Sequence, residues 1–322
     1  MDILFWGGFL IFIGFLLFLD LGVFNKGSHE VSTKEALTWT FIWIGVSLLF
    51  NVFIYFAYEN QWIHGTMEGV EAMSGSDASL KFLTGYIIEK SLSLDNIFVI
   101  AIIFSYFKVP LKYQHEILFW GILGAIIFRG LMIVLGVALI QEFEWIMLVF
   151  GVLLIVSAIK MFSTDEEEDY NADKNFAIKI AKKLFPVAED KDGKFFVKIN
   201  AKRHITPLFI CLLVIETTDI MFAIDSIPAI FSITTDAFIV FSSNIFAILG
   251  LRSLYFVLAA MMNQFKYIQI SLVFVLGYVG VKMILIYFGF HIDTLISLSV
   301  IIGTISIGVV ASILKNRKGR TT

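Results

Sequence analysis

Long apolar stretches recur along almost the whole sequence, and they constrain the fold more than any other feature. Each has about the length that an α-helix needs to cross roughly 30 Å of hydrocarbon. The nine stretches cover residues 3–24, 34–58, 80–107, 116–140, 142–162, 205–233, 236–262, 266–288 and 292–314. Of the 322 residues, 58% are hydrophobic and only 16% are charged, against about 25% charged in soluble domains. The sequence therefore predicts an all-α, polytopic membrane protein and excludes a soluble enzyme.

The positions of lysine and arginine predict the orientation of these helices. Basic residues cluster in alternate connections, from Lys26 and Lys34 to the tail after residue 314. By the positive-inside rule, these connections are cytoplasmic. The other connections are acidic or neutral apart from Lys81, so the N-terminus is predicted outside and the C-terminus in the cytoplasm. The longest cytoplasmic connection, 163–204, is predicted to be a solvated linker with one helix around residues 176–184 lying in the membrane interface.

Charge and cysteine content exclude several kinds of partner. The formal net charge is −3, and the basic residues lie in loops instead of along one face, so no nucleic-acid partner is expected. The single cysteine, Cys211, lies in an apolar stretch, which excludes a disulfide framework and a thiolate metal cluster. The expected surroundings are the lipid bilayer, no organic cofactor is expected, and the sequence does not predict an oligomeric state.

Charged residues inside the apolar stretches recur at a constant spacing, which predicts an internal repeat. The anchors, at offsets of 124, 123 and 122 residues, are Asp95 and Asp219, Arg129 and Arg252, and Lys160 and Lys282. The helix with Asp95 runs inward and the helix with Asp219 runs outward, so the two copies are inverted, as in many secondary transporters. The predicted organisation is two helices in 1–79, the first three-helix repeat in 80–162, the cytoplasmic loop 163–204, the second repeat in 205–288, and a last helix with a basic tail in 289–322.

A group of acidic and polar residues lies at mid-membrane depth, where each charge costs roughly 2.5–3.5 kcal/mol and needs a partner or a polar cavity. The candidate metal ligands are Glu89, Asp95, Asn96, Glu216, Asp219 and Asp225. The supporting charges are Asp20, Arg129 and Arg252. Oxygen ligands suit Mg²⁺, Ca²⁺ or Mn²⁺, whereas Zn²⁺ and copper prefer imidazole and thiolate. The sequence predicts a site for a hard or borderline divalent ion between the third and sixth helices.

Simpler roles stay open for some of these charges. Arg129 and Arg252 are expected first of all to neutralise the acids. Glu89 precedes Lys90 directly, so the two are either a local pair or separate groups. Asp20 lies near the inner end of the first helix and is either an interfacial aspartate or a ligand.

Pro228 predicts an irregularity in the sixth helix. Proline lacks a backbone N–H and crowds the carbonyl four residues before it, so the helix around Asp225 is expected to be kinked or unwound. Freed carbonyls beside carboxylates are typical cation ligands in transporters. A site that Asp219 and Asp225 share requires such unwinding, because the two lie about 240° apart on an ideal helix.

Acids outnumber bases at this depth, which bears on mechanism. Five carboxylates and two arginines leave three negative charges, of which a divalent ion neutralises two. Mutually repelling carboxylates in lipid favour protonation, so the empty site is expected to bind protons. Exchange of protons for metal is the resulting hypothesis, and transport that is indifferent to a pH gradient would contradict it.

The segments around these residues resemble the signature segments of the TerC/Alx family of bacterial integral membrane proteins. They read Glu89-Lys-Ser-Leu-Ser-Leu-Asp-Asn-Ile-Phe and Glu216-Thr-Thr-Asp-Ile-Met-Phe-Ala-Ile-Asp-Ser-Ile-Pro-Ala. The resemblance covers nearly the whole chain and implies a LysE-like exporter of Mn²⁺, its transported substrate, in the bacterial inner membrane. It also implies that the acids of both segments form or flank the ion path. The family is named for tellurium resistance, but one cysteine offers no route for thiol reduction of tellurite.

Other functions stay open beside manganese export. Oxygen ligands do not distinguish Mn²⁺ sharply from Ca²⁺ or Mg²⁺, so a calcium or magnesium transporter is an alternative. A non-transporting membrane assembly factor is another, but it leaves the buried acids unexplained. An intramembrane protease is disfavoured because Asp95 and Asp219 lie in no Gly-x-Gly-Asp segment and the chain has no His-Glu-x-x-His motif. We expect a transporter and not an enzyme.

Overall fold

The computed structural model of the chain describes residues 3–20, 32–63, 73–163, 176–188, 193–200, 202–259 and 267–319. Within these residues the chain forms α-helices and a single two-stranded antiparallel sheet. The helices are α1 (Ile3–Phe18), α2 (Thr33–Glu59), α3 (Gly75–Tyr106), α4 (Leu111–Glu142), α5 (Ile146–Ser163), α6 (Phe176–Leu184), α7 (Pro207–Phe231), α8 (Ala237–Leu249), α9 (Leu251–Ala259), α10 (Ile268–Tyr287) and α11 (Thr294–Gly319). The strands are β1 (Phe196–Ile199) and β2 (Lys202–Ile205).

Several of these helices are long and apolar enough to cross a membrane. Among the described residues, α2, α4, α7, α10 and α11 meet this condition, and α8 with α9 would form a sixth, bent span. α1 and α5 contain shorter apolar helices, and the 32-residue α3 carries Glu89, Lys90 and Asp95 near its middle. The predicted all-α, polytopic membrane fold is confirmed, whereas the nine spans and their orientation stay predictions.

The helices pack in an exchanged pattern. α3 packs on α8, α4 packs on α7, and α5 packs on α10. If α3–α5 form one copy and α7–α10 the other, the first helix of each copy packs on the second helix of the other copy. A pseudo-twofold axis between inverted repeats requires this arrangement. α5 and α10 lie close together at two glycines. A Cβ added to Gly151 would lie 2.9 Å from the carbonyl oxygen of Gly280. The pattern agrees with the repeat, which itself stays a prediction.

The stretch 236–262, predicted as one helix, is broken at Gly250. α8 ends at Leu249, α9 begins at Leu251, and the two are bent by 43°; residues 260–262 lie outside the described part. The 13 residues of α8 span only about 20 Å. Every residue from Phe238 to Leu249 is buried, so the short helix is enclosed by protein, where irregular backbone is tolerated at membrane depth.

α7 continues through Pro228, so the helix around Asp225 is not unwound, and of the two predicted irregularities only a kink stays a prediction. The proline lies in the last turn of the helix, where its missing N–H removes a single backbone hydrogen bond. Residues 226–231 around it are buried, and this packing holds the turn. Asp219 and Asp225 therefore point to different sides of a regular helix.

The described parts of the 163–204 loop are folded. α6 is the predicted helix, and it packs on α7 through buried Ile178 and Ala181. The hairpin of β1 and β2 was not predicted. Thr206, which caps α7, donates a 3.2 Å hydrogen bond to the Phe195 carbonyl, so the hairpin is attached to the helix that carries Glu216. The exposed Ile180 remains consistent with a membrane-surface face.

Candidate functional site

Arg129 lies at the centre of the candidate site, in the middle of α4, and is 2% exposed. Its guanidinium donates to Glu89 of α3. It also binds Asp219 of α7 through two hydrogen bonds, from Nη2 to Oδ1 at 2.8 Å and from Nε to Oδ2 at 3.1 Å. Such two-pronged pairs are among the stronger ionic contacts in proteins. Arg129 therefore joins three helices and forms ion pairs with Glu89 and Asp219, two of the acids that it was expected to neutralise.

Two neutral side chains complete the surroundings of Arg129. Its Nη1 lies 3.4 Å from Ser226 Oγ and 3.4 Å from Asn244 Oδ1. Asn244 of α8 also donates from Nδ2 to Glu89 Oε2 at 3.1 Å. Glu89, which is 0% exposed, is thus bonded through both carboxylate oxygens.

Glu216 lies one turn before Asp219 on α7 and faces α4 at Gly124. The Glu216 carboxylate occupies the space that a Cβ on residue 124 would need, so glycine at this position leaves the room that the carboxylate uses. Glu216 Oε2 is buried and has no hydrogen-bond partner in the described part of the chain. A buried carboxylate oxygen without a partner is costly, and a bound cation or proton would remove that cost.

The charges of this cluster do not balance. Glu89, Asp219 and Glu216 are three carboxylates, and within the described ranges Arg129 is the base that forms ion pairs with two of them, Glu89 and Asp219. When all four groups are ionised, two negative charges stay uncompensated, which equals the charge that one divalent cation brings.

The remaining predicted ligands lie further along the helices. Asp225 is about 9 Å beyond Asp219 on α7, and it accepts a 2.7 Å hydrogen bond from Ser157 of α5. Asp95 is half-buried about 9 Å beyond Glu89 on α3, and Asn96 beside it is buried. The six predicted ligands do not form one cluster, and no group of three or more His, Cys, Asp or Glu that could hold a metal is found among the described residues.

Arg252 and Asp20 form a second, separate ion pair. Arg252 Nη2 donates to Asp20 Oδ1 at 2.8 Å and to the Asp20 backbone oxygen at 3.0 Å. Both side chains are buried. Asp20 is therefore the partner of a buried arginine, and the two roles that the sequence left open for it, interfacial aspartate and ligand, stay untested.

Glu89 and Lys90 are not a local pair. Glu89 binds Arg129 and Asn244, whereas Lys90 donates to the Ala247 carbonyl at 3.1 Å. Neither Asn244 nor Gly124 was among the residues predicted from the sequence. The sequence signal for Asn244 was an amide inside an apolar stretch, and the signal for Gly124 was a small residue that permits close helix packing.

Comparison with known proteins identifies the family. The family described as "Integral membrane protein TerC family" matches residues 74–320, which include every candidate ligand. The chain belongs to this family. The resemblance that its two signature segments suggested is confirmed, and no solved structure matches the chain.

TerC-family relatives match over nearly the full length of the chain. An uncharacterised membrane protein, STKORF319, from Myxococcus xanthus is 43% identical over 98% of this chain and 94% of its own. An uncharacterised membrane protein from Rickettsia bellii (strain RML369-C) is 42% identical over 96% of this chain and 97% of its own. Alx from Escherichia coli (strain K12), whose name proposes a membrane-bound redox modulator, is 40% identical over 93% of this chain and 91% of its own.

Proposed function

We propose that this TerC-family protein exports a divalent metal ion, Mn²⁺ first among the candidates, from the cytoplasm in exchange for protons. The observation that supports this most is the Glu216 carboxylate, which is enclosed against Gly124 with Oε2 unpartnered among the described residues. It lies beside two acids that a single arginine holds. This arrangement gives the site an excess of negative charge that a cation would balance.

The chemistry of the donors supports a hard or borderline ion. The side chains that contact Arg129 offer carboxylate, amide and hydroxyl oxygens from Asp219, Asn244 and Ser226, and Glu216, one turn from Asp219, adds an unpartnered carboxylate oxygen. Such oxygens suit Mn²⁺, Mg²⁺ and Ca²⁺. The guanidinium beside them repels a cation and weakens its binding. Weak binding suits a transporter, because an ion that binds must also leave.

The positions of the acids along α7 support a path. Glu216, Asp219 and Asp225 follow one another at spacings of about 4.5 Å and 9 Å along the axis. In the predicted orientation this series runs from the cytoplasmic half of the helix outward. Asp225, bonded to Ser157 of α5, lies nearer the outer end but on a different side of α7, so the proposed path rests on Glu216 and Asp219.

Charge balance predicts the ratio of protons to metal ions in the proposed exchange. The two uncompensated negative charges are balanced by one divalent ion or by two protons. We therefore expect about two protons to enter for each ion that leaves, since an empty site with neither would carry unpaired charge in a low-dielectric setting.

The name of Alx suggests redox modulation as a different function. Cys211 is the one cysteine of this chain, and it is buried in α7. A dithiol exchange within one chain needs two cysteines. The cation site, and not thiol chemistry, is therefore the function that we propose.

Flux in liposomes tests the proposal. The purified protein is reconstituted, and Mn²⁺ flux is measured with and without a pH gradient and with competing Mg²⁺ or Ca²⁺. Glu216→Gln should abolish the flux, whereas the matched control Glu142→Gln, at the exposed end of α4, should transport like the wild type.

Each arm of this experiment has a contradicting outcome. Wild-type protein that transports no Mn²⁺ contradicts the proposed substrate. If the protein prefers Mg²⁺ or Ca²⁺, that ion becomes the substrate in place of Mn²⁺. Full flux in Glu216→Gln contradicts the site. Flux that does not respond to the pH gradient contradicts proton exchange.

A further inference from the structure

The break between α8 and α9 lies deep in the protein and leaves helix ends that need partners. The last four carbonyls of a helix have no partner within it, and unsatisfied carbonyls are costly in a membrane. Ala247 is among the last residues of α8, and its carbonyl accepts a 3.1 Å hydrogen bond from Lys90 Nζ. Lys90 reaches the break from α3, a neighbouring helix.

The ammonium of Lys90 is closely enclosed at this point. A Cβ on Gly250, the residue at the break, would lie 2.9 Å from Lys90 Nζ and 3.1 Å from Trp43 Cβ. Glycine at position 250 therefore leaves the room that the ammonium uses. A cation is also favoured there, because the C-terminal end of a helix carries partial negative charge.

α8 is held to α3 at two successive turns by two adjacent side chains. Lys90 binds the carbonyl of Ala247, and Glu89 accepts a 3.1 Å hydrogen bond from Asn244 Nδ2. Asn244 and Ala247 are three residues apart, which is about one turn or 4.5 Å along the axis. A shift of α8 at Ala247 would consequently move Asn244 relative to Glu89.

We propose that Lys90 is a positioning residue of the cation site: by binding the C-terminal end of α8, it holds Asn244 in contact with Glu89. Lys90 acts through Asn244 and does not touch the ion. The inference rests on the proposed function for its transport readout. It assigns a role to the lysine of the first signature segment and to the break that the sequence did not predict.

A double-variant cycle tests this role in the reconstituted full-length protein. Lys90→Met removes the donor and keeps most of the side-chain volume, and Asn244→Ala removes the group through which Lys90 acts. Each should raise the Mn²⁺ concentration for half-maximal flux about tenfold, the effect expected for a hydrogen bond to a charged group. Because both changes break one chain of contacts, the double variant should show no larger increase than Asn244→Ala alone.

A second variant displaces the lysine without removing its charge. Gly250→Ala places a methyl group against Lys90 Nζ and should raise the half-maximal concentration like Lys90→Met. The control is Gly277→Ala, because no atom lies within 4 Å of a Cβ added at Gly277. This control should transport like the wild type.

Several outcomes would overturn the proposal. One is an increase in the double variant that equals the product of the two single increases. Another is an unchanged half-maximal concentration in both Lys90→Met and Gly250→Ala. A third is loss of folded protein in both of these variants while Asn244→Ala folds normally, since that would show a role of Lys90 that does not run through Asn244.

Failure of the proposed function is recognised separately, because the wild type then shows no Mn²⁺ flux. In that case the same four proteins of the cycle are compared by their melting temperatures in detergent without metal. The contact chain from Lys90 to Asn244 predicts non-additive losses in this measurement too. Additive losses would overturn it whatever the substrate.

Discussion

The two buried arginines of the protein, Arg129 in α4 and Arg252 in α9, occupy equivalent positions in the predicted repeat but have different partners. Arg129 binds two carboxylates, and one of them, Asp219, lies one helical turn from Glu216, a third acid. Arg252 binds one carboxylate, Asp20, and its backbone oxygen. The first cluster keeps an excess of negative charge, and the second is neutral. The balance of charge, and not its mere presence in the membrane, distinguishes a candidate ion site from a structural pair.

The largest expected effect is on folding, and it compares the two arginines directly. Arg129→Met leaves Glu89 and Asp219 without their base, whereas Arg252→Met leaves only Asp20. Removing one partner of a buried pair costs about 3–5 kcal/mol, and the cost should be greater for Arg129. Thermal melting in detergent and the yield of folded protein measure it. Arg203→Met, at an exposed position of β2, is the control, and equal losses in the two arginine variants would remove the distinction.

The second effect is on transport, and it asks whether the neutral pair can be replaced as a unit. Replacing both partners of a buried pair by neutral groups is often tolerated. Asp20→Asn combined with Arg252→Gln should therefore keep Mn²⁺ flux within about threefold of the wild type. Asp219→Asn combined with Arg129→Gln should abolish flux, because the first cluster is the proposed ion site. Loss of flux in the Asp20 and Arg252 double variant would show that the second pair also takes part in transport.

The outcome for these two clusters shows what the sequence could predict. Carboxylates and arginines inside apolar stretches stand out, because charge in lipid needs a reason. Glu89, Asp219 and Arg129 were therefore found, and the structure brings them together. Which arginine binds which acid depends on the packing of four helices, and pattern reasoning along one chain does not contain that information.

The backbone shows the same limit. Pro228 predicted an unwound segment, but in the last turn of a buried helix it interrupts little. The real break lies at Gly250, inside a run that is apolar enough as a whole to be taken for one span. The Ala247 carbonyl beside this break is bound by Lys90, which lies on another helix 157 residues earlier in the sequence. Such a long-range hydrogen bond to a carbonyl depends on tertiary structure, so the local sequence pattern does not predict it.

The third expected effect is a difference in sign between two single neutralisations. Glu216→Gln removes a buried carboxylate whose Oε2 has no partner among the described residues, so at a pH high enough for the empty site to lose its proton it should raise the free energy of unfolding by about 1 kcal/mol. Asp20→Asn removes the carboxylate of Arg252 and should lower it. Melting temperatures of both variants, measured without metal, give the comparison. A decrease in both would mean that Glu216 has a stabilising partner in the empty protein.

The smallest effect concerns the glycines of α4 that face α7. Gly124→Ala would place a methyl group where the Glu216 carboxylate lies, whereas a Cβ on Gly121 would make an ordinary 3.4 Å contact with Ile215. Both changes gain up to about 1 kcal/mol of helix propensity, so their difference isolates the displacement of Glu216. Gly124→Ala should raise the half-maximal Mn²⁺ concentration about fivefold, and Gly121→Ala should leave it unchanged. Equal behaviour of the two variants would show that the carboxylate at Gly124 is not where the ion binds, and the difference between the two arginine clusters would then need another explanation.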